Sequence, residues 1–339
     1  MNKKNLIGMS LEEITSLTGS AGYKPSSAVS ISNAVYKKRT TDLKNIKNIP
    51  VSLKTILEGN YEAGLFPPVK SEHSADGTIK YLFRTWEGKL FETVYIPDNK
   101  RKTVCVSTQS GCRMGCRFCL TASYGFHGNL SAGEIVNQIV SIPDVERITH
   151  VVMMGMGEPM DNLDNVLKAC EILTSQWGLS ISPVNITIST VGINQGISRF
   201  LNETECNLAL SLLSPFTEER ALLVPAERNF PVKNLIRILK DFKVKKKRRL
   251  SIAYVMINGL NDSERHLDEL KSLTAGSGIR INLLPYHQTP EDTRTGSSQE
   301  RMLYFKHNLI ISGISASIRR SRGADISAAC GLLAGGMKI

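Results

Sequence analysis

The stretch Gly111-Cys112-Arg113-Met114-Gly115-Cys116-Arg117-Phe118-Cys119 carries three closely spaced cysteines. Three thiolates suit a four-iron cluster in which one iron keeps no protein ligand. A structural zinc site would need a fourth ligand, usually from a second pair of cysteines or histidines. His127 is the nearest candidate, and Cys170 lies in a predicted helix. The spacing therefore favours an iron–sulfur cluster, with a zinc site or an inert trio of thiols as the alternatives.

From about residue 98 onward, short apolar runs alternate with longer amphipathic stretches. Apolar residues at i, i+3 and i+4 spacing predict helices, and Ser131 with Glu134 forms a capping box before one of them. Strands separated by helices imply βαβ units. We therefore predict an α/β fold of the partial (β/α)6 barrel type, with a doubly wound open sheet as the alternative. The predicted strands are 104–108, 150–154, 185–190, 207–212, 250–256, 279–284 and 315–319, and the predicted helices are 132–140, 163–177, 232–242, 264–274 and 298–311.

The first 97 residues have a different pattern. Ser10 and Glu13 form another capping box, and the residues on both sides of 86–89 predict a β-hairpin. Residues 66–77 are predicted to be a linker. We therefore expect three units: a small α+β accessory domain at 1–97, the barrel at 98–322 and a C-terminal tail at 323–339.

The composition describes a globular protein with a basic surface. The chain has 339 residues, 41% of them hydrophobic, and a formal net charge of +11. This composition excludes global disorder, and the charge favours an acidic partner such as nucleic acid. The densest basic run, 243–249, is either a solvated loop or a phosphate-contacting patch. No apolar stretch is long enough for a membrane span or a signal peptide, so we expect a cytoplasmic protein without membrane contact.

Polar residues follow several of the predicted strands. Glycines in Gly155-Met156-Gly157-Glu158-Pro159 allow close backbone approach, and Glu158 offers a carboxylate to a ligand ammonium group. The third glycine of a dinucleotide-binding motif is missing. Ser189, Ser211 and Asn282 lie at the ends of other strands. Together on one rim, these groups could bind a cofactor.

The cysteine spacing, with Phe118 before the last cysteine, resembles the signature of radical S-adenosylmethionine enzymes. The resemblance implies that Cys112, Cys116 and Cys119 hold a 4Fe-4S cluster. The open iron of that cluster would bind the amino and carboxylate groups of S-adenosylmethionine. The motif around Glu158 resembles the one that holds the cofactor's amino group, and the superfamily's barrel agrees with the predicted βα units.

A closer resemblance covers nearly the whole chain from about residue 80. The order and spacing of the motifs resemble the radical S-adenosylmethionine RNA adenine methyltransferases of the RlmN/Cfr family. The matching segments are 91–97, 105–109, the cysteine triad, 155–159, 189–192 and the tail around Cys330.

The family resemblance implies a mechanism that uses two S-adenosylmethionine molecules per turnover. One methylates Cys330, and the other yields a radical that takes hydrogen from the new S-methyl group. The resulting methylene radical adds to adenine carbon 2, Glu92 accepts the ring proton, and Cys105 releases the RNA by forming a transient disulfide with Cys330. Cys170 and Cys206 are expected to be packing residues.

One position departs from the family pattern. The family usually reads Ser-Leu-His where this chain has Ser211-Leu212-Leu213, so we expect a weaker polar contact but no loss of activity. The residues that the resemblance assigns to S-adenosylmethionine are Gly157, Glu158, Ser189, Ser211, Leu212, Leu213 and Asn282.

The predicted function is therefore methylation of adenine carbon 2 in 23S rRNA at the peptidyl transferase centre. The adenosine 3′ of the anticodon in tRNA is a second expected substrate. The expected partners are these RNAs and an electron donor such as flavodoxin or ferredoxin, and the accessory domain would contact RNA. We expect a monomer. The alternatives are carbon-8 methylation of the antibiotic-resistance type and a non-catalytic RNA-binding protein stabilised by a metal.

Overall fold

A computed structural model describes residues 3–143, 147–244, 247–289 and 292–334. Within these ranges the helices are α1 (Leu11–Ser20), α2 (Pro25–Ser32), α3 (Val51–Asn60), α4 (Leu120–Tyr124), α5 (Ala132–Val140), α6 (Leu163–Thr174), α7 (Asn194–Glu203), α8 (Thr217–Leu223), α9 (Val232–Asp241), α10 (Glu264–Thr274) and α11 (Gln299–Ile311). The strands are β1 (Lys4–Asn5), β2 (Tyr61–Glu62), β3 (Lys70–His73), β4 (Ile79–Arg84), β5 (Leu90–Pro97), β6 (Lys102–Cys105), β7 (Gln109–Gly111), β8 (Phe126–Asn129), β9 (His150–Met153), β10 (Ile186–Thr190), β11 (Asn207–Ser211), β12 (Leu250–Met256), β13 (Arg280–Pro285) and β14 (Ala316–Ile318).

One sheet organises most of the molecule, in the order β14-β13-β12-β11-β10-β9-β6-β5-β4-β3. Its parallel part runs from β6 through β9 to β14, and each new strand joins the sheet beside the previous one. A doubly wound sheet would reverse direction at a switch point. The sequential order therefore excludes that alternative and confirms the α/β prediction. Within the ranges given above, six crossovers join seven parallel strands, one strand more than a (β/α)6 unit contains.

Buried and half-buried residues alternate along the strands, so the two faces of the sheet differ. On β10, Ile186 and Ile188 are fully buried in the main core, whereas Thr187 and Ser189 are half-buried on the opposite face. Apolar residues of α6 and α7, such as Leu173 and Phe200, belong to the same core. The helices thus cover one face, and the other face with its strand ends is left for polar groups.

The N-terminal residues are joined to the parallel sheet in two ways. The predicted hairpin forms from β4 and β5, and β5 pairs antiparallel with β6. The buried apolar residues of α1 to α3 belong to the same hydrophobic core as those of the parallel strands. The boundary at 97/98 therefore crosses a continuous sheet and a continuous core, and the division into units stays a prediction.

The linker prediction for residues 66–77 was wrong, because β3 lies there and pairs with β4. Its sequence, Lys-Ser-Glu-His, contains no apolar residue, since β3 is an exposed edge strand. Within the described residues, no helix is long and apolar enough to span a membrane. Residues 245–246 of the basic run and residues 335–339 of the predicted tail lie outside the described ranges.

Gly111 makes the turn that leads into the cysteine loop, residues 112–119. It has a φ of +77°, and a Cβ atom there would lie 1.6 Å from the Gly125 carbonyl oxygen. The same oxygen accepts a hydrogen bond from the Cys112 amide at 2.9 Å. A side chain at residue 111 would therefore push apart the two segments that support the loop.

Replacing Gly111 with alanine is expected to lower the free energy of unfolding by about 3 kcal/mol or more, because it adds a backbone clash to an unfavourable φ. Gly115→Ala is the matched control, since Gly115 also has positive φ but its Cβ would meet only Pro225 at 3.6 Å. The Gly115→Ala substitution should lower the free energy of unfolding by about 1 kcal/mol. Denaturant unfolding measures both, and equal losses would contradict the proposed clash.

Candidate active site

The cysteine loop lies beyond the carboxyl end of β6, at the edge where the other parallel strands also end. The Arg117 amide donates to the Leu223 carbonyl at 2.9 Å, which attaches the loop to α8. The Cys119 amide donates to the Cys116 carbonyl at 3.2 Å and closes a turn within the loop. The three cysteines are therefore held on one short, anchored segment.

The environment of the triad raises the pKa of two of its thiols, those of Cys112 and Cys116. Cys116 is buried against Leu213, Val224, Ile257 and Tyr286. Burial, together with Cys119 and Cys112, raises the pKa of Cys116 well above its usual value. Burial is also the main reason that the pKa of Cys112 rises to about 12, and nearby carboxylates add to that shift. These mutual effects indicate that the three thiols lie close together.

The residues fit an iron–sulfur cluster in donor chemistry. Thiolates are the ligands that such clusters prefer, and three of them leave one iron open. Among the described residues, no three Cys, His, Asp or Glu side chains are arranged as a closed ligand set. The triad is therefore a group of neighbouring thiols of the right number and type, without a fourth protein ligand in place.

Glu158 is buried beside the cysteine loop and links two strand ends. Thr190 and the Met160 amide donate to its Oε1 at 2.6 and 3.0 Å, and the Val191 amide donates to Oε2 at 2.9 Å. Burial raises the pKa of Glu158 to about 7, and these hydrogen bonds oppose the shift. Because a carboxylate accepts about four hydrogen bonds, Oε2 keeps capacity for a ligand ammonium group.

Gly157 allows the segment before Glu158 to lie against residues 107–109. Its φ is +98°, and a Cβ atom there would lie 2.6 Å from the Gln109 Cβ. The Glu158 amide also donates to Gln109 Oε1 at 2.9 Å. The glycine thus permits close packing between two strand-end loops, a contact that its sequence motif alone did not reveal.

The polar strand-end residues fall into one contacting pair and one more distant residue. The hydroxyls of Ser189 and Ser211 are 3.1 Å apart. Asn282 accepts a hydrogen bond from the Ser317 hydroxyl at 2.8 Å. Asn282 shares a row of the sheet with Ser211 through Ala253, so the two residues are two strands apart. That separation is about 10 Å, and Ala253 lies between them in the row.

Leu212 and Leu213 have buried side chains that pack within the protein. The Leu212 amide donates to the Ala253 carbonyl at 3.0 Å, and Leu213 has a φ of +62°. The Leu213 carbonyl accepts a hydrogen bond from Asn261 at 2.6 Å. The backbone carbonyl of Leu213 is therefore already engaged by the protein, and its side chain packs beside Cys116.

Arg220 is a buried residue of the site that the sequence did not reveal. Its guanidinium donates to the carbonyls of Val191, Ser211 and Leu212 at 2.5, 3.1 and 2.8 Å. It also forms an ion pair with Glu227, and neither side chain is exposed. One cation thus joins the loops that follow β10 and β11.

The C-terminal tail lies across the same edge of the sheet. The Leu120 amide donates to the Gly331 carbonyl at 2.9 Å, and the Thr121 hydroxyl donates to the Leu333 carbonyl at 3.1 Å. The Ala334 amide donates to Oε2 of the buried Glu92 at 2.7 Å. The tail therefore connects the end of the cysteine loop to Glu92.

The base of the tail is attached to the turn between β3 and β4. Asp325 accepts hydrogen bonds from the Ser74 hydroxyl at 2.6 Å and the Ala75 amide at 3.1 Å. The Gly323 amide donates to Asp76 Oδ2 at 3.1 Å. The tail is therefore fixed on both sides of Cys330.

Cys330 and Cys105 are close enough to influence each other. Burial raises the pKa of Cys105 to about 12, and Cys330 adds to the shift. The protein atoms around the Cys330 sulfur also raise its pKa by desolvation. The residue itself is nevertheless exposed to solvent. Arg319 opposes that second shift and Cys119 adds to it. The tail thus brings Cys330 within electrostatic reach of Cys105 and of the triad.

The other two cysteines lie away from this site. Cys170 and Cys206 are both buried in the main core, which agrees with the packing role expected for them. Five of the seven cysteines therefore belong to one region.

Comparisons with known proteins agree with this arrangement. Residues 106–270 match the Radical SAM superfamily. The chain is 44% identical over 333 residues to the "Probable dual-specificity RNA methyltransferase RlmN" of Bacteroides thetaiotaomicron, covering 98% of this chain and 96% of that protein. It is 37% identical to the "Dual-specificity RNA methyltransferase RlmN" of Syntrophobacter fumaroxidans, covering 88% and 89% of the two chains. The chain belongs to the RlmN family of radical SAM RNA methyltransferases.

A solved structure extends the family likeness to the fold. A radical SAM methyltransferase from Sphaerobacter thermophilus superposes with a TM-score of 0.90 at 36% identity, covering 98% of this chain and 99% of that one. The prediction of the family and that of the α/β fold class are therefore confirmed. Membership of the RlmN family implies a 4Fe-4S cluster and S-adenosylmethionine as cofactors.

Replacing Arg319 with alanine removes the positive charge that lowers the pKa of Cys330. A smaller fraction of Cys330 would then be thiolate at pH 8, so alkylation by iodoacetamide should slow about two- to fivefold. Peptide mass spectrometry measures the rate at this residue. Arg320→Ala is the matched control, because Arg320 is its exposed neighbour. Equal rates in both variants would contradict the effect of Arg319.

Proposed function

We propose that the protein methylates carbon 2 of an adenosine in 23S rRNA at the peptidyl transferase centre. The adenosine 3′ of the anticodon in tRNA is its second proposed substrate. The observation that carries the proposal is the docked tail, which lies between the cysteine loop and Glu92 and holds Cys330 near Cys105. A structural metal site would not require a second pair of thiols beside the triad.

The cysteine triad, Cys112, Cys116 and Cys119, would hold the cluster. When bound, the cluster supplies the electron that cleaves S-adenosylmethionine to a 5′-deoxyadenosyl radical. The proposed binding residues for S-adenosylmethionine are Gly157, Glu158, Ser189, Ser211, Leu212, Leu213 and Asn282. Among these, Glu158 has a free acceptor position for the ammonium group, and the polar side chains of Ser211 and Asn282 would contact the ribose and carboxylate.

Cys330 is the proposed methyl acceptor. Adenine carbon 2 lies between two ring nitrogens and is electron-poor, so it does not attack a sulfonium methyl group. A thiolate is a competent nucleophile for that methyl group. Cys330 is the exposed thiol of the site, which supports this role, and each turnover would consume two S-adenosylmethionine molecules.

Glu92 and Cys105 are proposed to complete the reaction. Glu92 lies on β5 next to the end of the tail, where a carboxylate can accept the proton from adenine carbon 2. Cys105 would then attack the Cys330 sulfur, forming a transient disulfide and releasing the methylated RNA. The electrostatic effect of Cys330 on Cys105 supports this pairing.

The remaining proposals concern partners and organisation. Residues 1–97 would form an accessory domain that contacts RNA, followed by the barrel at 98–322 and the tail at 323–339. The net charge of +11 supports an RNA partner. We further propose a cytoplasmic monomer that receives electrons from flavodoxin or ferredoxin.

Nucleoside mass spectrometry tests the proposed reaction. We expect 2-methyladenosine to disappear from 23S rRNA and tRNA when the gene is deleted and to return when it is restored. Loss of 8-methyladenosine would instead identify the carbon-8 reaction. Unchanged methylation of both RNAs would contradict the proposal.

Replacing Cys105 with alanine should trap the protein on its RNA, because the thiol that resolves the covalent bond is then missing. A denaturing gel with labelled RNA would show the conjugate, and Cys330→Ala should give neither conjugate nor product. Cys206→Ala is the matched control, since Cys206 is also a buried thiol but its neighbouring thiol is Cys170 instead of Cys330. Free methylated RNA from the Cys105 variant at the normal rate would contradict the resolving role.

A further inference from the structure

Lys80 lies between two carboxylates on neighbouring strands. Its Nζ is 3.4 Å from Oε1 of Glu92 on β5 and 3.0 Å from Oε2 of Glu72 on β3. The side chains of Lys80 and Glu92 are each 4% exposed, whereas that of Glu72 is 32% exposed. The three residues form a row of alternating charge from the interior toward solvent.

The strand register produces this row. Glu72 is directly opposite Lys80, and Glu92 is opposite Leu82, two residues farther along β4. Lys80 and Glu92 are therefore diagonal neighbours on the same face of the sheet, a distance that a long side chain can cover. Cys105 lies on that face as well, because it is opposite Val94, two residues after Glu92.

The row fixes the position of the Glu92 carboxylate. The Lys80 ammonium lies 3.4 Å from Oε1 of Glu92, and both side chains are buried. A buried carboxylate is stabilised when its oxygens are paired or hydrogen-bonded. The Ala334 amide bonds the opposite oxygen, so the carboxylate is held from both sides.

We propose that Lys80 is a positioning residue for proton removal from adenine carbon 2. The inference rests on the proposed role of Glu92 as the proton acceptor. The carbon–hydrogen bond breaks, its electron pair stays in the purine ring, and its proton moves to a Glu92 oxygen. Lys80 holds that carboxylate in position before the transfer, and Glu72 holds the Lys80 ammonium in place.

The alternative role for this row is purely structural. A buried ion pair that only supports the sheet would change stability when broken, without changing which step limits the reaction. The test must therefore follow the proton transfer itself. RNA that carries deuterium at adenine carbon 2 provides this readout, because only a step that breaks that bond is slowed by the label.

The experiment compares Lys80→Met, Lys80→Arg and Glu92→Gln with the native protein, on RNA with hydrogen or deuterium at carbon 2. Lys80→Met should release methylated RNA about 10- to 100-fold more slowly. It should also accumulate the covalent protein–RNA conjugate, show a deuterium isotope effect on release, and form 5′-deoxyadenosine at the native rate. Lys80→Arg keeps the charge and should recover most of the rate.

Lys89→Met is the matched control. Lys89 lies in the same hairpin and pairs with Glu87 at 2.6 Å, but that pair is exposed to solvent and separate from Glu92. It should show no isotope effect. Glu72→Gln leaves Lys80 and Glu92 in place and should slow the release of methylated RNA several-fold. If Lys80→Met does not fold, this variant decides the question.

The outcomes separate this inference from the proposed function. A native rate without an isotope effect in folded Lys80→Met, or in Glu72→Gln when Lys80→Met does not fold, overturns the role of Lys80. Native turnover in Glu92→Gln overturns the role of Glu92 itself. Failure of the native protein to methylate carbon 2 overturns the proposed function.

Discussion

The hydrogen bond from the Leu120 amide to the Gly331 carbonyl is the contact on which the site depends, because it joins the cysteine loop to the segment that carries Cys330. Residues more than two hundred positions apart in the chain meet there. The turn at Gly111 sets the direction in which the cysteine loop leaves β7. The hydrogen bonds of Asp325 fix the base of the tail. The rest of the fold brings these two segments to one edge of the sheet.

Buried charges hold the surrounding loops in place. Arg220 with Glu227 joins the ends of β10 and β11, and Lys80 with Glu92 joins β4 and β5. Taking ions out of water is costly unless they are paired and hydrogen-bonded. Both of these ion pairs have additional hydrogen bonds to the backbone. Removing one partner would leave an uncompensated charge beside the reacting groups, so we infer that stability and reactivity are linked at this edge.

The parallel strands and the cysteine loop were predictable because their signals are local. Apolar runs of strand length and a cysteine spacing can be read directly from the sequence. The strand Lys70–His73 was missed because an exposed edge strand needs no apolar residues. Arg220 and Lys80 were missed for another reason. An arginine in an acidic helix start and a lysine in a hairpin are typical of solvated surfaces, and only the fold shows that both are buried.

The central claim is that Cys330 carries the methyl carbon to the RNA. Supplying S-adenosylmethionine with a fully deuterated methyl group tests it directly, with mass spectrometry of the methyladenosine produced. If the carbon passes through Cys330, one deuterium is removed before the carbon joins adenine, so the product methyl group should keep two. A product that keeps all three would mean direct transfer of an intact methyl group and would contradict this account.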